Sequence, residues 1–178
     1  LAVCVIVYRD PLLVPFAALQ ILWINLVTDS LPALALSTQE LEWDVMKRKP
    51  MNESLLAGIK EYVAFSGVIW LFVIGAIFFY FKPEGVELAQ TMTVTSSIIY
   101  QMFLWLWSWR EKRFDIRVNS WLIFALLASF GLHFLLIASP YAHIFGFTAL
   151  RDMTALEWVA IFWLPFIGYI LSEFSKKK

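Results

Sequence analysis

The stretch Asn25-Leu26-Val27-Thr28-Asp29-Ser30-Leu31-Pro32 sets an amide, an acid and two hydroxyls inside an otherwise apolar run. Apolar residues flank it at 19–24 and 31–36. Asp29 therefore lies near the middle of residues 14–36, about 23 residues of chain and long enough as a helix to cross a bilayer. A carboxylate at that depth costs roughly 2.5–3.5 kcal/mol even on lenient insertion scales. Something must compensate it.

In a regular helix Asn25 lies three residues from Thr28 and four from Asp29, so the three polar side chains are expected to converge on one face. Pro32 has no N–H for the carbonyl of Thr28 and its ring pushes that carbonyl aside, which predicts a kink or unwinding at the acid. The stretch then offers a carboxylate, an amide oxygen, a hydroxyl and a freed carbonyl. These are hard oxygen donors of the kind that suit Ca²⁺, which takes about 6–8 oxygens, and broken helices at the membrane midplane recur in transporters. Two structural roles compete with this one: Asp29 could pair with a basic group, and Asn25 and Thr28 could only join helices by hydrogen bonds.

Composition reads the same way. Hydrophobic residues make up 61% of the 178 and charged residues 16%, against about 25% charged in an average globular chain. The expected fold class is an all-α polytopic membrane protein: a helical bundle of five full transmembrane helices, with a partial helix at residues 1–8. A hydropathy window of about 19 residues places the spans at 14–36, 62–81, 88–109, 120–139 and 155–174. The turn Arg9-Asp10-Pro11 and polar loops at 37–58, 82–87, 110–119 and 140–154 separate them. Lys47, Arg48, Lys49, Lys60, Arg110, Lys112, Arg113, Arg117, Lys176, Lys177 and Lys178 fall on one side, 11 of the 14 Lys and Arg residues. The loop 37–58 and the C-terminus are therefore expected to be cytoplasmic. Each basic cluster abuts an apolar span, which makes it a membrane flank and excludes a nucleic-acid partner. The partner implied is the lipid bilayer. The single cysteine, Cys4, rules out an internal disulfide and a cysteine-rich metal site.

The run Leu22-Trp23-Ile24-Asn25-Leu26-Val27-Thr28-Asp29-Ser30-Leu31-Pro32-Ala33-Leu34-Ala35-Leu36 resembles the sixth transmembrane helix of the calcium-type P-type ATPases. Asp44-Val45-Met46 with Lys47-Arg48-Lys49-Pro50 resembles the cytoplasmic loop that follows that helix, and a looser collinear likeness continues through Glu173. The resemblance implies that residues 1–178 are the C-terminal cation-transport domain of an ATP-driven pump. Its cargo would be Ca²⁺, with Mn²⁺ as the alternative, exchanged for protons. It also implies that Asn25, Thr28 and Asp29 match the family's ion ligands on this helix. Gln101, in Gln101-Met102-Phe103, matches a position where two-site calcium pumps carry a glutamate, so the amide implies one Ca²⁺ per cycle and makes Gln101 a neighbour of the ion site. Pumps for Na⁺ and K⁺ tend to carry a second acid on the Asp29 helix, where this chain has Ser30 and Ala33. Na⁺, K⁺ and H⁺ are thus the less favoured cargoes.

No catalytic residues are assigned. The chain contains no phosphate-cradling glycine loop, no nucleophile elbow and no Cys/His zinc spacing, and it lacks the Asp-Lys-Thr-Gly sequence that the family phosphorylates. ATP and Mg²⁺ would act only through cytoplasmic domains outside these residues, so the implied protein partner is the N-terminal part of the same pump. A non-catalytic membrane module, or a remnant of a pump, is the alternative. Among other polar residues, Thr91, Thr93, Thr95, Ser96 and Ser97 are expected to let helices approach and to hydrogen-bond across an interface. His133, mid-span, is expected to be a neutral histidine bonded to a neighbouring helix, with proton relay as its alternative role. Lys60, Glu61, Glu157 and Glu173 are expected to snorkel to water. Trp105, Trp107, Trp109 and Trp121 read as headgroup anchors, whereas Trp70 and Trp163 face lipid or pack between helices.

Overall fold

The computed structural model describes residues 14–38, 60–110 and 120–174. The expectations for residues 1–8, Arg9-Asp10-Pro11, most of the loop 37–58, the loop 111–119, the Lys176–Lys178 tail, and the side chains of Trp105, Trp107, Trp109 and Glu173 lie outside what it describes.

Every regular element among the described residues is helical. The first span is built in three pieces: helix α1 (Ala18–Trp23), a π-helical turn (Ile24–Asp29) and helix α2 (Ser30–Ser37). Helices α3 (Lys60–Phe81), α4 (Val86–Arg110), α5 (Ser120–Ala138) and α6 (Ala155–Phe174) follow, with short 3₁₀ turns at Ala142–Phe145 and Leu150–Asp152 between the last two. Four segments are long and apolar enough to cross a membrane: Ala18–Ser37, Lys60–Phe81, Ser120–Ala138 and Ala155–Ser172. Their outward faces carry exposed Leu22, Leu26, Phe72, Leu127, Leu135 and Val159, as a lipid-facing surface requires. At about 1.5 Å per residue, α4 is about 37 Å long. Its lower apolarity comes from Gln90, Thr91, Thr93, Thr95 and Ser96, all of them buried.

Helix α4 is the axis of the bundle. On one side it packs with α3 and α6 around Ile77, Phe78, Phe81, Ala89, Met92, Ile99 and Ile161. Tyr100 fastens that group: its ring stacks on Trp70 with centroids 4.1 Å apart, and its hydroxyl shares a hydrogen bond with Ser172 at 2.9 Å. The packing is close enough at Gly168 that a Cβ there would stand 3.2 Å from a Val73 methyl. On its other side α4 meets α5 and the first span through Val94, Ile98, Ile137 and Phe147, with Trp23, Ile24 and Phe130 against them. Residues Ala35, Leu122 and Ala125 form a smaller apolar contact at the far end of the α2–α5 pair. With no hydrophobic drive between helices in lipid, such close fits and interhelical hydrogen bonds hold the bundle.

The α4 hydroxyls differ in part from expectation. Thr91, Thr93 and Ser97 donate to their own helix, to the carbonyls of Glu87, Ala89 and Thr93 at 2.8, 2.7 and 2.8 Å. This is the local back-bonding open to Ser and Thr, and it satisfies these three hydroxyls inside the bundle, whereas the buried Ser96 Oγ has no hydrogen-bond partner. Among the described Thr and Ser hydroxyls of α4, Thr91, which accepts from the Thr148 N–H at 2.8 Å, and Thr95, which bonds His133, reach across an interface.

Glu157 corrects another expectation. It does not snorkel; it is buried and closes a capping box at the start of α6, with its Oε2 accepting from the Thr154 N–H at 2.6 Å and its own N–H reaching Thr154 Oγ1 at 3.5 Å. Glu157→Ala is expected to cost about 1 kcal/mol, read as a lowered midpoint of thermal unfolding in detergent; an unchanged midpoint would exclude the cap. The loop before it is tightly folded. Gly146 adopts a left-handed backbone (φ +73°), and its carbonyl accepts from Gln20 Nε2, a fully buried side chain whose Oε1 accepts from the Ala17 N–H. The start of α1 is thereby tied to the 140–154 loop.

Candidate ion-binding site

The irregularity expected around Pro32 is present, and its form differs from a simple kink. A regular helix would ask Pro32 for a hydrogen bond to the Thr28 carbonyl that proline cannot give. The chain widens one turn earlier, into the π-helix Ile24–Asp29, and Pro32 falls in the first turn of α2, where a missing N–H is tolerated. Two hydroxyls serve the carbonyls of the widened turn. Ser30 Oγ donates to the Asn25 carbonyl five residues back at 2.6 Å, and Ser129 Oγ on α5 donates to the Val27 carbonyl at 2.9 Å.

The wider turn changes which side chains share a face. Four residues nearly complete one π-turn, so Asn25 and Asp29 stay together, both exposed on the surface of the bundle. Three residues fall well short of a turn. Thr28 therefore points inward, 1% exposed, with its Oγ1 lacking a hydrogen-bond partner. The convergence of all three side chains expected for a regular helix is replaced by a pair on the outer face and a hydroxyl on the inner one.

Gln101, near the C-terminal end of the described side chains of α4, comes to the same place. Its Nε2 donates to Asp29 Oδ1 at 3.0 Å, across 72 residues of sequence. The acid is thus held through one oxygen by a neutral amide rather than a cationic side chain. Among the described residues no three His, Cys, Asp or Glu side chains gather as a metal site. The donors that do gather are one carboxylate and the amides of Asn25 and Gln101, oxygen chemistry suited to a hard cation and too sparse to enclose one.

Other residues singled out in the sequence occupy simpler positions. His133 is fully buried on α5 and shares a hydrogen bond with Thr95 Oγ1 through Nε2 at 3.1 Å, as expected for a histidine tied to a neighbouring helix. His143 lies in the 3₁₀ turn and meets Glu87 at 3.1 Å, an exposed pair of small energetic weight. Trp163 is largely exposed and Trp121 more so. Gln20 is a structural partner that sequence reasoning passed over, although it is a polar residue in an apolar span.

Residues 13–177 match the family described as "Cation transporting ATPase, C-terminus". The chain is 32% identical over 189 residues to calcium-transporting ATPase 1 of Bacillus cereus, an alignment covering 91% of this chain and 21% of that protein. It is 29% identical over 198 residues to an endoplasmic-reticulum-type calcium-transporting ATPase 3 of Arabidopsis thaliana, covering 90% of this chain and 20% of that protein. A shorter alignment, 46 residues at 63% identity, covers 25% of this chain and 5% of a calcium-transporting ATPase of Listeria monocytogenes. The chain spans about a fifth of the length of the first two relatives. With a family match running from the start of the first described segment to within one residue of the C-terminus, on an all-helical bundle with membrane-length apolar helices, the chain belongs to the family of C-terminal regions of cation-transporting ATPases.

Proposed function

We propose that this chain is the ion-binding membrane part of an ATP-driven P-type pump whose cargo is Ca²⁺, and that Asp29, Asn25 and Thr28 supply its ligands on the first span. The observation that carries the proposal is the contact between Gln101 and Asp29 at 3.0 Å, on the π-turn and on an open face of the bundle. A carboxylate facing lipid at this depth is too costly to be an end state. The open face that Asn25, Asp29 and Gln101 share is therefore where further helices of the pump cover the site and bring the remaining ligands. Asn25 Oδ1, Thr28 Oγ1 and the Asp29 carboxylate give about three or four of the 6–8 oxygens that Ca²⁺ requires. Thr28 approaches from the inner side of the turn.

In this reading Gln101 holds one carboxylate oxygen while the site is empty, and the other is the first to meet the incoming ion. The amide adds no charge, so a single divalent cation faces a single acid from this chain. Mn²⁺ shares the same oxygen preference and is the nearest competitor. ATP, Mg²⁺ and the phosphorylated aspartate belong to domains outside these residues, and the basic residues of the sequence support a cytoplasmic C-terminus. The names of the relatives, calcium-transporting ATPases, support the choice of cargo.

The test is a cation screen on the complete ATPase that contains this region. Phosphoenzyme formation from ATP is expected to require Ca²⁺, to accept Mn²⁺ in its place, and to be indifferent to Na⁺ and K⁺. Phosphorylation driven by Na⁺ without Ca²⁺ would overturn the assignment.

A further inference from the structure

Pro32 removes one backbone donor, and the spacing of the turn before it decides which carbonyl goes without. In α spacing an N–H serves the carbonyl four residues back, so the acceptor deprived by Pro32 is Thr28. In π spacing the N–H serves the carbonyl five residues back, and the deprived acceptor becomes Val27. The chain takes π spacing over Ile24–Asp29, just ahead of Pro32. Val27 is also the residue whose carbonyl accepts from Ser129 Oγ on α5, at 2.9 Å across 102 residues of sequence. A side chain from the neighbouring helix thus donates where the proline nitrogen cannot.

Ser129 makes this bond in place of the one its own helix offers. A serine or threonine inside a helix commonly donates to a carbonyl one turn back. Thr91, Thr93, Ser97 and Ser172 do so, to Glu87, Ala89, Thr93 and Gly168. Ser129 is fully buried, is the one Ser or Thr within α5 after Ser120, and donates to the first span. Ser30 fits the same wide spacing from within the chain, through its 2.6 Å bond to the Asn25 carbonyl five residues back. In α spacing Leu31 would serve the Val27 carbonyl, and Ser129 would be dispensable there.

The spacing also decides where Thr28 points. In a regular helix its hydroxyl would share the face of Asn25 and Asp29, within reach of the Ile24 carbonyl. In the π-turn it points inward, 1% exposed, and Oγ1 has no hydrogen-bond partner. A return to α spacing would carry this oxygen away from the inner side, where the ion-binding reading uses it.

We propose that Ser129 is a positioning residue of the cation site: by serving the Val27 carbonyl it holds the turn in π spacing, with Asn25 and Asp29 outward and Thr28 inward. It touches no ion itself. The inference rests on the cation-site reading for its purpose, and on the relation of Pro32, Val27 and Ser129 for its existence. Without the Ser129 hydroxyl, π spacing leaves a buried carbonyl unpaired, and α spacing gains ground. Only molecules still in π spacing then meet the ion with its ligands in place, so apparent affinity falls in proportion to their share.

Two measurements on the complete ATPase test this. Ser129→Ala is expected to weaken equilibrium binding of Ca²⁺ about fivefold, the bias that one hydrogen bond supplies. The number of ions bound at saturation is expected to stay the same, because a saturating ion draws the turn back to π spacing. Unchanged Ca²⁺ affinity in a folded Ser129→Ala protein would overturn the inference. The second measurement needs no cation and is a double-mutant cycle on the thermal unfolding midpoint in detergent. Pro32→Ala restores an N–H, which gives the Val27 carbonyl a backbone donor in either spacing. Ser129→Ala is expected to lower the midpoint by a few degrees when Pro32 is present and to leave it nearly unchanged in the Pro32→Ala background. If Ser129→Ala alone does not fold, the double variant is expected to fold. Equal lowering in both backgrounds, or a double variant that fails to fold as the single one does, would overturn the inference. A wild-type protein that binds no Ca²⁺ would refute the cation-site reading instead, and the role of Ser129 in the turn would then stand or fall on the cycle.

Discussion

Asp29→Asn is expected to abolish cation-stimulated phosphoenzyme formation in the complete ATPase while leaving the protein folded. The substitution keeps the shape of the side chain, and an asparagine oxygen can still accept from Gln101 Nε2, so the contact between the π-turn and α4 survives. What disappears is the only charge that the described residues bring to the site. Removing one partner of a desolvated charge pair costs about 3–5 kcal/mol, or about 10²–10⁴-fold in affinity. At cation concentrations that saturate the wild type, the variant should stay dephosphorylated. Retained expression and an unaltered unfolding midpoint would show that the loss is local.

Gln101→Glu is expected to have the second largest effect, of a different kind. It sets a second carboxylate within hydrogen-bond distance of Asp29, where the amide now donates at 3.0 Å. Two like charges so close in a low-dielectric site cannot both persist without a cation, so the empty site takes up a proton that must leave as the ion enters. Apparent Ca²⁺ affinity should therefore rise with pH more steeply than in the wild type. At high pH it should exceed the wild-type value, because a divalent cation then meets two acids. Identical pH profiles for the two proteins would mean that Gln101 does not face the ion site.

Much of the bundle was legible from apolar run length alone, because a membrane forces each crossing segment to satisfy its own backbone and leaves helix as the solution. The described ends of α3, α5 and α6 lie within about two residues of the hydropathy boundaries, ordinary scatter for helix ends. Helix α4 was legible for a different reason: its row of Thr and Ser residues marked a packed interior position, although the hydroxyls mostly bond their own helix. The π-turn was not legible in detail. Asn25, Thr28 and Asp29 were placed on one face by the regular helical period, and the lost donor at Pro32 changed that period, turning Thr28 inward. Gln101 was legible as a neighbour of the acid only through family likeness, since nothing in local spacing links residues 72 apart. The bonds made by Gln20, Ser129 and Glu157 were not legible, because a long-range hydrogen bond or a cap leaves no periodic trace.

The most direct measurement of the central claim is equilibrium binding of radioactive Ca²⁺ to the complete ATPase in the absence of ATP, comparing the wild type with Asp29→Asn. One ion per molecule in the wild type and none in Asp29→Asn is the predicted outcome. Binding by Asp29→Asn with wild-type affinity would contradict it.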